Sequence, residues 1–67
     1  MPTQNEVEAL AIKLGQMRAD RQPPGECVAA EAVFRTAQSQ LPLAGRIKAG
    51  CLYINAFCER VGRPPIY

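Results

Sequence analysis

Proline punctuation constrains this chain more than any other feature. Six prolines stand at Pro2, Pro23-Pro24, Pro42 and Pro64-Pro65. A proline lacks the N–H that a helix interior needs, and it pushes the preceding residue out of the α region. No helix or central strand runs through these points. The stretches between them each carry apolar residues at helical spacing, and none shows sustained strand alternation. The short run Cys51-Leu52-Tyr53-Ile54 has some β character, but it lies inside a longer helical pattern. The expectation is an all-α fold: one small three-helix domain over residues 1–67, a helical hairpin preceded by an N-terminal helix. The helices are expected at about 4–21, 26–40 and 43–61, with an extended tail at 62–67.

The local signals agree with these spans. Thr3 followed by Glu6 reads as a capping box. Val7, Leu10, Ala11, Leu14 and Met17 then form one face of helix 1. Glu6 and Glu8 stand early and Arg18 and Arg21 late, which complements the helix dipole. In helix 2, Cys27, Ala30, Phe34, Ala37 and Leu41 form a seam of mostly small residues, where a neighbour can approach closely. In helix 3 the main stripe is Leu43, Ile47, Gly50, Cys51, Ile54, Cys58 and Val61, and Gly62 suits a left-handed C-cap.

Size then raises a question of stability. At 67 residues a fold often needs disulfides, a metal or self-association to gain a margin. Cys27, Cys51 and Cys58 are an odd set without CxxC spacing, so a secreted disulfide framework is not expected. Each lies on the apolar stripe of its helix, and the core reading outweighs a three-thiolate metal site. No apolar run approaches the ~18 residues of a membrane span, so no membrane partner is expected. The polar start does not read as a signal peptide, and the cytoplasm is the expected compartment. No cofactor is expected.

Catalysis is not expected either. The chain has no histidine, and Asp20 is its sole aspartate. Glu6 and Glu8 are two apart and face different ways on a helix. No hydroxyl has an activating neighbour in sequence, and the glycines form no phosphate loop.

Helix 3 attracts attention as a binding element. Beyond its main stripe it also carries Ala49, Leu52, Tyr53, Ala56 and Phe57. A helix apolar over most of its circumference is usually central. Either helices 1 and 2 cover both its sides, or part of it meets a second copy or a partner protein. A homo-oligomer is expected on the small-core argument. Arg46, Tyr53 and Arg60 recur at seven-residue spacing, an Arg-Tyr-Arg edge that could grip carboxylates or phosphate. The alternative is an ordinary edge, with Arg stems lying over apolar neighbours. Arg46 and Lys48 stand in the first turns of helix 3, where cations oppose the dipole. They either form an anion site or face the negative end of helix 2. Ile66 and Tyr67 in the tail complete the candidate binding set.

Two resemblances rest on short segments. Thr3-Gln4-Asn5-Glu6-Val7-Glu8-Ala9-Leu10, Gly50-Cys51-Leu52-Tyr53-Ile54-Asn55-Ala56-Phe57 and Arg63-Pro64 resemble the ends of phage anti-CBASS cyclic-nucleotide sponges. That resemblance implies a compact helical oligomer holding a nucleotide, and no ligand-binding residue is carried over from it. Ala30-Glu31-Ala32-Val33 with Arg35 is similar to a segment of the theta subunit of DNA polymerase III, whose aromatic-rich third helix has no match here. In size and lack of motifs the chain also looks like phage and mobile-element accessory proteins such as anti-CRISPR inhibitors. The leading expectation is a small non-catalytic inhibitor of a host defence or regulatory complex, acting by protein–protein contact. The alternatives are an oligomeric sponge for a cyclic nucleotide, with Arg46 and Lys48 on phosphates, and a nucleic-acid-binding module. The net charge of +2 argues against the last.

Overall fold

A computed structural model describes all residues, 1–67. It contains three helices and no strand: α1 (Gln4–Ala19), α2 (Pro24–Gln38) and α3 (Leu43–Arg60). Thr3 caps α1, its hydroxyl accepting from the Glu6 N–H at 3.2 Å, but the Glu6 carboxylate does not return the bond to the Thr3 N–H, so the expected capping box is half formed. α1 stops at Ala19, two residues before the expected end. Arg21 turns left-handed there, at φ 57°. Its N–H bonds to the Arg18 carbonyl, and the Gln22 N–H reaches the Met17 carbonyl. These paired bonds close the helix before the prolines are reached. Pro24 consequently opens α2 and does not end α1. Its fixed φ suits the first helical position, where its missing N–H costs nothing. α2 ends at Gln38, because Gln40 and Leu41 already form tighter turns onto Ala37 and Gln38. α3 closes with the same paired bonds as α1, and here the left-handed residue is Gly62, at φ 82°.

The helices run up, down and up. α1 lies in the middle: it packs extensively on α3 and well on α2, whereas the α2 and α3 backbones stay apart and meet through a few long side chains. This corrects the expectation that helix 3 would be central. α1 and α3 are parallel and in nearly constant register. Gln4 meets Gly45, Glu8 meets Lys48, Gly15 meets Ala56 and Asp20 meets Arg60. The offset is 41 residues at the first and third of these pairs and 40 at the second and fourth, by subtraction of the residue numbers.

Close backbone approach explains the pairing. A Cβ added to Gly15 would lie 2.5 Å from the Tyr53 carbonyl oxygen and 3.0 Å from the Phe57 nitrogen. Only glycine permits that distance. The tightest contact therefore falls between α1 and α3, and not on the small-residue seam of α2. The core itself gathers Val7, Ala11 and Leu14 from α1, Phe34 from α2, Leu41 from the α2–α3 turn and Ala49 from α3. Leu10, Ala30, Ala37, Leu52 and Tyr53 pack around it. The molecule is flattened, 31 × 27 × 14 Å, so each helix keeps an outward face.

Candidate functional site

The two faces of α3 are not the two that its composition suggests. Its inner face is built from Ala49, Ala56, Leu52 and Tyr53. The stripe expected inside lies mostly outside: Leu43 is 63% exposed, Ile47 58%, Ile54 36% and Val61 42%. The physical reason is size. A helix held against Gly15 at main-chain distance presents alanines there, because branched side chains do not fit. Cys58 alone of the expected stripe is fully buried, and Cys51 is half-buried. Cys27 is buried in α2, its thiol 3.6 Å from the Gln22 carbonyl. The three thiols are free, and no three potential ligand side chains converge.

The expected Arg-Tyr-Arg edge does not act as one surface. Arg60 donates through Nε and Nη2 to both carboxylate oxygens of Asp20, each at 2.9 Å. That bidentate pair ties the end of α3 to the end of α1. The hydrogen bonds from Arg60 and its charge hold the Asp20 carboxyl below its usual range, and the same contact raises Arg60. Tyr53 turns inward and meets Phe34 edge-to-face, with ring centroids 6.0 Å apart and planes at 72°. The Arg35 guanidinium lies over both rings, 5.2 Å from the Phe34 centroid and 5.9 Å from that of Tyr53.

The cations of the first turns of α3 separate as well. Lys48 pairs with Glu8 of α1 at 3.4 Å. Glu8 also accepts from Gln4 Nε2 at 2.9 Å, and that bond, with Lys48, holds its carboxyl below the ordinary value. The Lys48 partner is thus on α1, not at the end of α2. The Arg46 side chain is exposed and forms no ion pair. Its carbonyl accepts from Gln38 Nε2 at 2.8 Å, which ties α2 to α3.

Ile66 and Tyr67 are 69% and 66% exposed, yet the tail is not free. The Tyr67 N–H donates to Asn55 Oδ1, and Asn55 Nδ2 donates to the Tyr67 carbonyl, both at 3.0 Å. Asn55 thus grips one residue of main chain from both sides. Beside Tyr67 runs a groove of ≈ 330 Å³, walled by Arg35, Ile47, Gly50, Cys51, Tyr53 and Ile54. The outer face of α3 and this groove form the candidate site.

Sequence reasoning did not reach Asn55, which reads as an ordinary polar residue of α3. No local signal pairs it with a residue 12 positions away. Nothing local in the sequence places Arg35 over two aromatic rings, one of them on another helix. Gly15 did carry a signal, since a glycine inside a helical pattern usually has a packing reason. No helix is long and apolar enough to cross a membrane. Searches of protein-family models, curated proteins and solved structures find no significant match to this chain.

Proposed function

We propose that this chain is a non-catalytic protein-binding module that offers the outer face of α3 to a partner protein. One observation carries the reading. Leu43, Ile47 and Ile54 of α3 and Val61 at its C-cap stay exposed while the core is filled without them. Apolar side chains aligned along a helix are the usual anchors of helix recognition. The non-catalytic part of the reading rests on the carboxylates. Three of the six, Asp20, Glu8 and Glu31, are paired with Arg60, Lys48 and Arg18 respectively, at 2.9, 3.4 and 3.3 Å, and the chain has no histidine to serve as a base for the others. Within this reading, inhibition of a host defence or regulatory complex is the role suggested by chain size and by the likeness to phage accessory proteins.

The anchors differ from those read in the sequence. Tyr53 and Arg60 have structural tasks, so their removal would confuse folding with binding. Ile47 and Ile54 are the better probes, since neither belongs to the core. Bacterial lysate passed over immobilised wild type should leave a partner bound. The double variant Ile47→Asp/Ile54→Asp should lose it while keeping the helical circular dichroism of the wild type. Equal capture by both folded proteins would remove this surface from consideration.

A second copy is the other reading with a specific observation behind it. Leu43, Ile47, Gly50, Ile54, Phe57 and Val61 follow alternating spacings of four and three, the pattern of a coiled-coil seam. Molecular mass in solution tests this, and a monomer at high concentration would exclude it. The nucleotide sponge has less support, because the Lys48 ammonium is already paired with Glu8.

A further inference from the structure

The tail shows what kind of ligand the outer groove accepts. Both hydrogen bonds from Asn55 go to the main chain of Tyr67, so these bonds do not depend on the Tyr67 side chain. Any extended residue could present the same two groups. A paired amide clamp of this kind is the side-chain counterpart of strand addition, where main-chain bonds give affinity and neighbouring pockets give selectivity.

The tail uses the clamp, and Tyr67 forms one wall of the neighbouring groove without filling it. Its two apolar residues, Ile66 and Tyr67, stay about two-thirds exposed. The groove of ≈ 330 Å³ beside Tyr67 has an apolar floor, and Arg35 is its one charged wall. No residue of 62–67 belongs to the core, and Gly62 has no neighbour that a side chain would strike. The tail is thus attached at Asn55 and at the α3 cap, where the Arg63 N–H reaches the Cys58 carbonyl at 2.8 Å. A segment held so lightly is a placeholder that a better-fitting chain can displace.

We propose that Asn55 and the adjoining groove along α3, beneath Arg35, form a docking site for an extended peptide segment of a partner protein, and that the Arg63–Tyr67 tail occupies its clamp in cis. The partner segment presents one residue of free main chain to Asn55. An apolar or aromatic side chain next to it enters the groove, and a carboxylate nearby meets Arg35. This inference rests on the reading of the outer face of α3 as a binding surface and specifies its ligand. The tail also sets a threshold. A tethered competitor acts at an effective concentration of about millimolar, so only segments that fill the groove as well as the clamp bind at lower concentration.

The test uses the full chain, isotope-labelled for NMR, and a probe peptide of the Arg63–Tyr67 sequence with acetyl and amide caps. At millimolar peptide the Tyr67 main-chain amide signal of the protein should move, saturably, to its released position. The Asn55 side-chain amide should keep its bonded shift throughout, because one occupant replaces another. The same peptide N-methylated at its tyrosine nitrogen lacks the donated N–H and should be at least tenfold weaker. In Asn55→Leu the Tyr67 signal should start at the released position and ignore the peptide. A Tyr67 amide that stays put at peptide concentrations well above millimolar overturns the proposal. Equal potency of the N-methylated peptide also overturns it, without relying on any variant. Peptide failure alongside a lysate capture that depends on Ile47 and Ile54 would remove the clamp and leave the outer face of α3 standing.

Discussion

α1 and α3 divide the work of this fold in a way their compositions do not announce. α3 holds more large apolar side chains, yet Leu43, Ile47, Ile54 and Val61 remain in solvent. α1 holds fewer, yet Val7, Ala11, Leu14 and Gly15 are all buried. The difference lies in how closely a neighbour can approach. Gly15 lets α1 come within main-chain distance of α3, and contact at that distance buries backbone as well as side chains. α1 also meets helices on two sides, whereas α3 meets chiefly one. Centrality follows from the number of partners that fit around a helix. Apolar content then decides what is left exposed.

The comparison can be broken most directly by truncating one apolar side chain on each helix. Leu14→Ala should cost about 2–5 kcal/mol, since the side chain is 1% exposed and leaves a cavity. Ile47→Ala should change stability by no more than about 0.5 kcal/mol, because the residue lies outside the core. Urea unfolding followed by circular dichroism measures both. Similar losses would mean that the outer face of α3 is covered in solution.

Two mid-helix glycines sharpen the point with smaller effects of opposite sign. Gly15→Ala forces a Cβ against main-chain atoms of α3 and should destabilise by about 1–3 kcal/mol. Gly50→Ala meets only Gln38 Nε2, at 3.6 Å, which is ordinary contact. It should stabilise by about 0.5–1 kcal/mol, because alanine loses less backbone freedom in a helix. Midpoint shifts in the same denaturant assay distinguish the two signs.

The smallest effect concerns the ends where the two helices are tied. Asp20 has a folded pKa below its unfolded value, because Arg60 bonds to the charged form. The stabilisation this brings is fully present above the unfolded value near ~4 and is lost as pH falls through the depressed folded value. Glu8, held down by Gln4 and Lys48, acts in the same direction. Melting temperature should decline from pH 5 towards strongly acidic solution, and Asp20→Asn should flatten part of that decline. Asp20 is exposed and Glu8 half-buried, so salt should shrink the effect, more at Asp20 than at Glu8. An unchanged acid profile in Asp20→Asn would show that the Arg60 contact contributes nothing measurable in solution.

Much of the fold was legible in sequence for local reasons. The Thr3 cap, the left-handed Gly62 and the seams Val7-Ala11-Leu14 and Cys27-Phe34-Leu41 each depend on residues within a few positions of one another. Pro24 falls outside the span expected for helix 2 because a proline pair marks a break without saying which helix it serves. The left-handed turn at Arg21, a residue type that seldom adopts it, gave no warning. The candidate site was only partly legible. Lys48 and Arg60 stood out as charges, but their partners Glu8 and Asp20 lie 40 residues away along the chain. Tyr53 belongs to an aromatic contact that needs Phe34 of another helix.

The amino-acid sequence by itself determined that there are three helices, roughly where each begins and ends, and which faces of α1 and α2 are apolar. Proline geometry, capping and periodicity act over one or two turns, so neighbouring residues suffice to specify them. Only the tertiary structure decided which helix is central, which face of α3 turns outward, and that Asn55 holds the tail. Those outcomes depend on the distance at which two helices can pack and on groups far apart in the chain. A single glycine at the crossing of α1 and α3 governs that distance, and no pattern within one helix reveals what it will meet.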